Sequence, residues 1–278
     1  MPELPEVERG RVLASSVAER RSIKTVSCAR DEIVFDGVTP AKMRSALAGR
    51  RVEAVRRRGK HLWFELDKRP WPCFHFGMTG SFRGRGQATL QLVSGPKEDR
   101  STWPPRFTKI HLTFDDGGEL VMTNARRFGR IRLREDPERE PPISGLGFDP
   151  LLDLPSPRDF IDRLSARRGA MKSVLMDQSF AAGVGNWIAD EVLFQAKIDP
   201  RRPADSLSPE EMRRVRSKLK HVVQVAVDAG GEGARFPRNW LFHRRWGRQR
   251  DVVTRQGDPI VHITLAGRTT AWVPRQQA

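Results

Sequence analysis

The spacing of apolar residues changes period partway along this 278-residue chain, and that change limits the fold more than any other feature. As far as residue 134 the apolar runs are short, and several alternate with polar side chains. Residues 23–29, 33–36, 51–57, 61–67, 73–78, 88–93, 108–114, 120–124 and 130–133 read as strands of this kind. Asp115-Asp116-Gly117-Gly118 between two of them is a hairpin signal. Residues 40–47 form a small amphipathic segment, and 94–106, rich in proline and charge, reads as a surface loop. After a stretch rich in proline, glycine and acids at 135–157, the period becomes helical over 158–168, 170–177, 186–197 and 209–228. The last of these opens with Ser208-Pro209-Glu210-Glu211, a capping sequence, and repeats Met212, Val215, Leu219, Val222, Val223 and Ala226 on one face. Strands without long intervening helices suggest a sandwich or flattened barrel. The expected fold is therefore α+β. An N-terminal helix (5–16) and an antiparallel β-sandwich occupy 1–134, 135–157 is a linker, 158–234 is helical, and 235–278 ends in a β-hairpin.

The first residues carry a second pattern. Met1-Pro2-Glu3-Leu4-Pro5-Glu6 sets a proline directly behind the initiator methionine, with carboxylates at Glu3 and, one helical turn on, Glu6. Loss of Met1, which a small second residue permits, leaves Pro2 as a free secondary amine. An α-amino group has a pKa of roughly 7.7–8, against about 10.4 for lysine, so a useful fraction is uncharged near neutral pH. Such amines attack electrophilic carbons to give Schiff bases, and Glu3 and Glu6 are placed to move protons beside one. The plainer alternative is a helix start, with proline in the first turn and acids against the dipole. It accounts for Pro5 and Glu6 but not for Pro-Glu directly after Met1.

Lys and Arg total 50 against 34 Asp and Glu, a formal net charge of +16. That excess favours an anionic partner, nucleic acid ahead of a membrane surface or an acidic protein. No apolar run approaches the roughly 18 residues of a membrane span. The only cysteines are Cys28 and Cys73, which excludes a disulfide framework and a four-cysteine zinc site. A reducing compartment is the default. No leader peptide is expected ahead of the N-terminal motif, and the protein is expected to be intracellular (nuclear if the source is a eukaryote) and monomeric.

Several shorter stretches are each open to two readings. Arg56-Arg57-Arg58-Gly59-Lys60-His61 is a solvated basic turn or a phosphate contact. In Phe76-Gly77-Met78-Thr79-Gly80, Met78 is a core residue or a flexible apolar wedge at a loop tip. Asn124-Ala125-Arg126-Arg127-Phe128-Gly129 is a hairpin with a basic face or a probe of the base stack, in which an arginine can pair with an orphaned base and an aromatic wedge can hold the stack open. Gly183-Val184-Gly185-Asn186 is an ordinary helix hairpin, or two turns leading into a helix that Asn186 caps and whose free amides hold a phosphate. From Arg235 onward arginines alternate with Phe236, Trp240, Phe242 and Trp246, which suits a phosphate-binding face.

The N-terminal PELPEVE, the HFGMTG and NARRFG loops, GVGN and the late Gly267-Arg268-Thr269-Thr270 occur in an order that resembles the formamidopyrimidine-DNA glycosylase/endonuclease VIII family of base-excision repair enzymes. The resemblance covers the whole chain. It implies a bifunctional glycosylase and apurinic/apyrimidinic lyase, with double-stranded DNA holding damaged bases or abasic sites in a basic cleft between the two halves. Pro2 would be the nucleophile, Glu3 and Glu6 would handle protons, and Lys60 would join the catalytic set at the phosphate beside the lesion. Asn186, Arg268 and Lys172 would bind phosphates, while Met78, Arg126 and Phe128 would fill the void. Bacterial members end in a four-cysteine zinc finger, but here Val273 and Gln276 stand where the last cysteine pair would be. His243 and His262 do not complete a four-ligand zinc site. The resemblance is closest to the plant and fungal zincless-finger members, so no metal and no cofactor are expected. A short segment at 229–238, where bacterial enzymes carry a longer loop over 8-oxoguanine, implies a preference for formamidopyrimidines and hydantoins. The alternatives in other classes are a non-catalytic damaged-DNA-binding protein on the same scaffold and a basic RNA-binding protein.

Overall fold

The opening residues form a helix, α1 (Leu4–Ala18), with Glu3 as its N-cap and Pro5 in its first turn. The computed structural model describes residues 2–87, 102–246 and 252–278. The strand expected at 88–93, most of the loop expected at 94–106, and Arg248 and Arg250 of the basic stretch lie outside them. The chain divides into two compact units, Met1–Gly145 with Gly230–Glu232, and Leu146–Ala229 with Gly233–Ala278.

In the first unit, β1 (Ile23–Cys28), α2 (Pro40–Leu47), β2 (Val52–Arg58), β3 (His61–Leu66), β4 (Trp71–His75), β5 (Ser81–Gly84), β6 (Thr108–Phe114), β7 (Glu119–Thr123) and β8 (Arg130–Arg134) follow α1. They make two four-stranded antiparallel sheets, ordered β1-β6-β7-β5 and β2-β3-β4-β8. Phe64 and Phe74 from one sheet meet Phe82 from the other, with ring centroids 5.8 and 5.1 Å apart. Val7, Ala14, Val17 and Ala18 of α1 join this core. Burying each of the phenylalanines and valines contributes about 1.5–3 kcal/mol. The strand expected at 33–36 is instead a turn, because Asp31 O accepts from the amides of both Val34 and Phe35. Only an isolated bridge to Ile131 is left of it. The β4 strand stops at His75, so the Gly77-Met78 segment is a turn.

The second unit holds α3 (Pro157–Ser165), α4 (Met171–Met176), α5 (Asn186–Ala196), α6 (Pro209–Asp228) and a hairpin of β9 (Val261–Leu265) and β10 (Arg268–Trp272). Helix α5 is buried nearly all round, while α6 buries the predicted stripe from Met212 to Ala226. Trp187, Phe236 and Phe242 form an aromatic cluster with centroids 4.8–5.4 Å apart. The N-cap of α5 is Gly185 and not the expected Asn186. The Asn186 amide is used elsewhere, donating to Thr269 O at 3.0 Å. Among the described residues no helix is long and apolar enough to cross a membrane.

Candidate active site

The N-terminal cluster is built by the first turn of α1. Pro2, Glu3 and Glu6 are buried. The Glu3 amide donates to Glu6 Oε2 at 2.9 Å, so the helix cap also fixes the two carboxylates against each other. Burial, and then the neighbouring charge of Glu3, push the Glu6 carboxyl up to about 7. A carboxyl poised there can give or take a proton near neutral pH. The Gly230–Glu232 turn packs over this helix start. A Cβ on Gly231 would lie 3.1 Å from Glu6 Cα, and Arg9 reaches the carboxylate of Glu232 and, at 3.2 Å, Gly230 O.

The same helix positions the Lys60 turn. Gly59 (φ 55°) and Lys60 link β2 to β3. Arg57, almost fully buried, donates to Glu8 Oε2 at 2.8 Å and to Gly59 O at 3.0 Å, so α1 fixes the turn through one guanidinium. Burial raises the Glu8 carboxyl, but hydrogen bonds from Arg11 and Arg57 outweigh it and the net shift is downward. Beside Lys60 the rings of His61 and His75 lie 4.8 Å apart. Burial first, and then nearby positive charge, depress them to about 3 and about 4, which keeps both imidazoles neutral at neutral pH. His75 Nδ1 accepts from Gly77 N at 3.2 Å. Arg57 and His61 belong to the basic turn of the sequence and His75 stands three residues ahead of Met78, but local spacing gives none of the three a role of its own.

The two expected void-filling segments adjoin each other. Met78 is half-buried, and Arg126 and Phe128 are exposed, with the Arg126 guanidinium 5.3 Å from the Phe128 ring. A Cβ on Gly77 (φ 62°) would lie 2.3 Å from the Phe128 carbonyl carbon, so only glycine lets the segments approach this closely. Arg127, between the two expected residues, instead donates to Asp31, which also takes Lys109 Nζ at 2.6 Å.

In the second unit Asn186 and Arg268 are accessible, while Lys172 is not. Arg268 is exposed beside the Ala266-Gly267 turn, whose positive φ values (49° and 68°) fit a two-residue hairpin. Lys172, expected among the phosphate contacts, is fully buried and paired with Asp190. Asp190 Oδ2 also accepts from Arg245 at 2.6 and 3.0 Å and from the β10 amide of Ala271 at 3.2 Å. One buried carboxylate thus gathers α4, α5, β10 and the Arg245 segment. Next to it, Glu191 accepts from Phe242 N at 2.8 Å, and burial pushes its carboxyl up to about 7. Arg245, expected in the phosphate-binding face that begins at Arg235, is instead buried against Asp190, and Asp190 and Glu191 carry no local signal, since nothing in local spacing connects residues 55 and 81 positions apart.

Zinc does not fit the hairpin. Val273 is buried and its amide donates to Gln277 Oε1 at 2.7 Å, while Gln276 donates to Asp258 Oδ2 at 2.6 Å. His262 Nε2 lies 3.1 Å from Arg245 O. Apolar packing of Leu241, Ile260, Ala271 and Val273 completes the support. Amides and an aliphatic core stand where thiolates would be needed.

Residues 1–131 match the family model of the formamidopyrimidine-DNA glycosylase N-terminal domain, and residues 146–238 match that of the formamidopyrimidine-DNA glycosylase H2TH domain. The formamidopyrimidine-DNA glycosylase of Arabidopsis thaliana is 39% identical over all of this chain and 71% of its own length. That of Heliobacterium modesticaldum is 35% identical over the full length of both. The fold matches a crystal structure of the Lactococcus lactis enzyme bound to DNA containing an abasic site, with a TM-score of 0.81, 24% identity and 99% of each chain covered. On the matched domains and full-length relatives together, this chain belongs to the formamidopyrimidine-DNA glycosylase family.

Proposed function

We propose that the protein is a bifunctional glycosylase and apurinic/apyrimidinic lyase of base-excision repair, acting as a monomer on double-stranded DNA. The observation that carries this reading is the buried Glu3–Glu6 pair next to Pro2, with a carboxyl that titrates near neutral pH. After loss of Met1, the Pro2 nitrogen attacks the sugar C1′. The C1′–base bond breaks, its electron pair leaves with the base, and the proton released by the amine passes through Glu3 or Glu6 to the departing base. A proton delivered to the ring oxygen opens the sugar and leaves a C1′=N iminium, the Schiff base. The iminium acidifies the C2′ proton. Its removal expels the 3′ phosphate, and a second elimination expels the 5′ phosphate.

Lys60, Asn186 and Arg268 grip the phosphates. Buried Lys172 acts on them indirectly, through Asp190 and the Asn186 helix start, where its Nζ lies 3.4 Å from Asn186 O. Extruding a base costs a few kcal/mol, and Met78, Arg126 and Phe128 offset that cost by occupying the gap. The functional division follows 1–134, a linker at 135–157, 158–234 and the zincless finger at 235–278. Ring-opened purines and hydantoins are preferred over 8-oxoguanine, in keeping with the short 229–238 segment.

Borohydride trapping on an abasic duplex, with mass-spectrometric mapping of the cross-linked peptide, tests the mechanism. An adduct on the Pro2 amine is expected, together with its loss when the N-terminus is blocked. An adduct on an internal lysine would overturn the role of Pro2. Binding without any adduct would favour a non-catalytic DNA-binding protein.

A further inference from the structure

Asn124 is fully buried at the end of β7, and its polar groups tie three separate segments together. Its side-chain Nδ2 donates to Phe76 O at 2.9 Å, at the root of the Met78 turn. Its Oδ1 accepts from Gly129 N at 3.1 Å, closing the Arg126–Phe128 loop. Its backbone N donates to Phe107 O at 3.0 Å. Phe107 is itself exposed, lies in the left-handed region (φ 65°) and carries the Arg106 guanidinium 4.6 Å from its ring centre.

The packing around the amide leaves no slack. A Cβ on Gly129 would lie 2.4 Å from Asn124 Nδ2, and one on Gly80 would lie 2.5 Å from the same atom. The Met78 turn and the Phe128 loop thus both close on one amide, and at Gly77 they touch each other. A primary amide suits this place because it donates on one side and accepts on the other. Asparagine offers both from a short side chain; aspartate would offer acceptors alone and face the Phe76 carbonyl with a second oxygen.

We propose that Asn124 is a positioning residue that couples the Met78 turn to the Arg126–Phe128 loop, so that the two enter the base stack as one rigid body. The proposal rests on the void-filling role given above to Met78, Arg126 and Phe128. Separately hinged loops would each lose their own freedom on insertion, whereas a coupled pair is ordered beforehand. Asn124 touches neither the sugar nor the base. Its effect should appear in base extrusion and not in the elimination steps that follow.

The test compares the wild type with Asn124→Asp and Asn124→Ala in single-turnover excision from a formamidopyrimidine-containing duplex and in strand cleavage of an abasic duplex. Stack opening is followed by the fluorescence of 2-aminopurine next to the lesion. Expected for both variants is a fall in excision and in the fluorescence step of roughly tenfold, about 1.4 kcal/mol of barrier, with abasic cleavage reduced much less. Met78→Ala and Phe128→Ala, combined, should be non-additive in the wild-type background and additive in the Asn124→Asp background. Additivity already in the wild type, or an equal fall of excision and abasic cleavage, would overturn the coupling. A wild-type protein that neither excises nor cleaves would instead overturn the function on which the coupling rests.

Discussion

Replacing Asp190 by asparagine keeps the shape of the second unit's central carboxylate and removes its charge. Asp190 and Lys172 are fully buried and Arg245 almost so, so neither cation has water to turn to. Removing one partner of a buried ion pair costs about 3–5 kcal/mol, because the charge left behind is uncompensated. Here two cations are left with a neutral amide, and the Ala271 amide keeps only a weaker acceptor. Whole domains are stable by only about 5–15 kcal/mol, so the loss is a large part of the total. At about 2–4 °C per kcal/mol for a protein of this size, the melting temperature should fall by roughly 6–20 °C. Lys172→Met is the control: it leaves Asp190 paired with Arg245 and should cost less than Asp190→Asn. Calorimetry and urea denaturation on the three proteins measure this, with affinity for an abasic duplex read alongside. Because Ala271 follows Arg268 on β10, affinity should fall in Asp190→Asn even at temperatures where the protein remains folded. A change in stability under about 1 kcal/mol, or a larger loss in Lys172→Met, would refute the reasoning.

Glu6, raised from 4.5 to about 7 in the folded chain, binds more protons folded than unfolded, so its contribution to stability is complete below pH 4.5 and is lost as pH rises through 7. Glu6→Gln should remove that decline, making the variant the more stable protein at pH 8 in urea titrations, while it slows excision. His61 and His75 behave in the opposite sense. Depressed from 6.5 to about 3 and about 4, they support the fold above pH 6.5, and that support is lost as pH falls toward 4. His61→Phe should therefore flatten the drop in stability between pH 6.5 and 4. Gly77→Ala places a carbon on the Phe128 peptide and forces alanine to a positive φ. A loss of at least about 1 kcal/mol is expected, with slower excision from a lesion duplex, and unchanged stability would contradict the close approach.

The fold was legible where a single period ran long enough. The α6 stripe and its Ser208 cap needed only local rules, and β6 was read correctly from alternation. The apolar residues at 33–36 misled because a neighbouring side chain and carbonyl, those of Asp31, turn the chain there. Strand β5, at Ser81–Gly84, was missed because four residues including a glycine carry too little pattern. The expected site residues came from motifs, and motifs carry no depth. The resemblance implies phosphate binding for Lys172, but its burial against Asp190 depends on tertiary packing that a local motif does not carry. Asn124 was likewise quoted only as the start of a basic loop, since its partners at Phe76 and Phe107 are brought to it by the strands on either side.

The turn at Gly230–Glu232 has a bearing on how the protein is made. Arg9 meets Gly230 and Glu232 across sequence separations of 221 and 223. A ribosome adding about 5–20 residues each second exposes the first unit's strands long before this turn emerges. During that interval the start of α1 lacks its cover, and the surroundings that hold Glu6 near neutral pH are incomplete. The nascent chain therefore passes through a period in which its sheets can pair while its acid–base pair is unfinished. Completion of that pair is timed by synthesis of the far side of α6, well after the residues that form it.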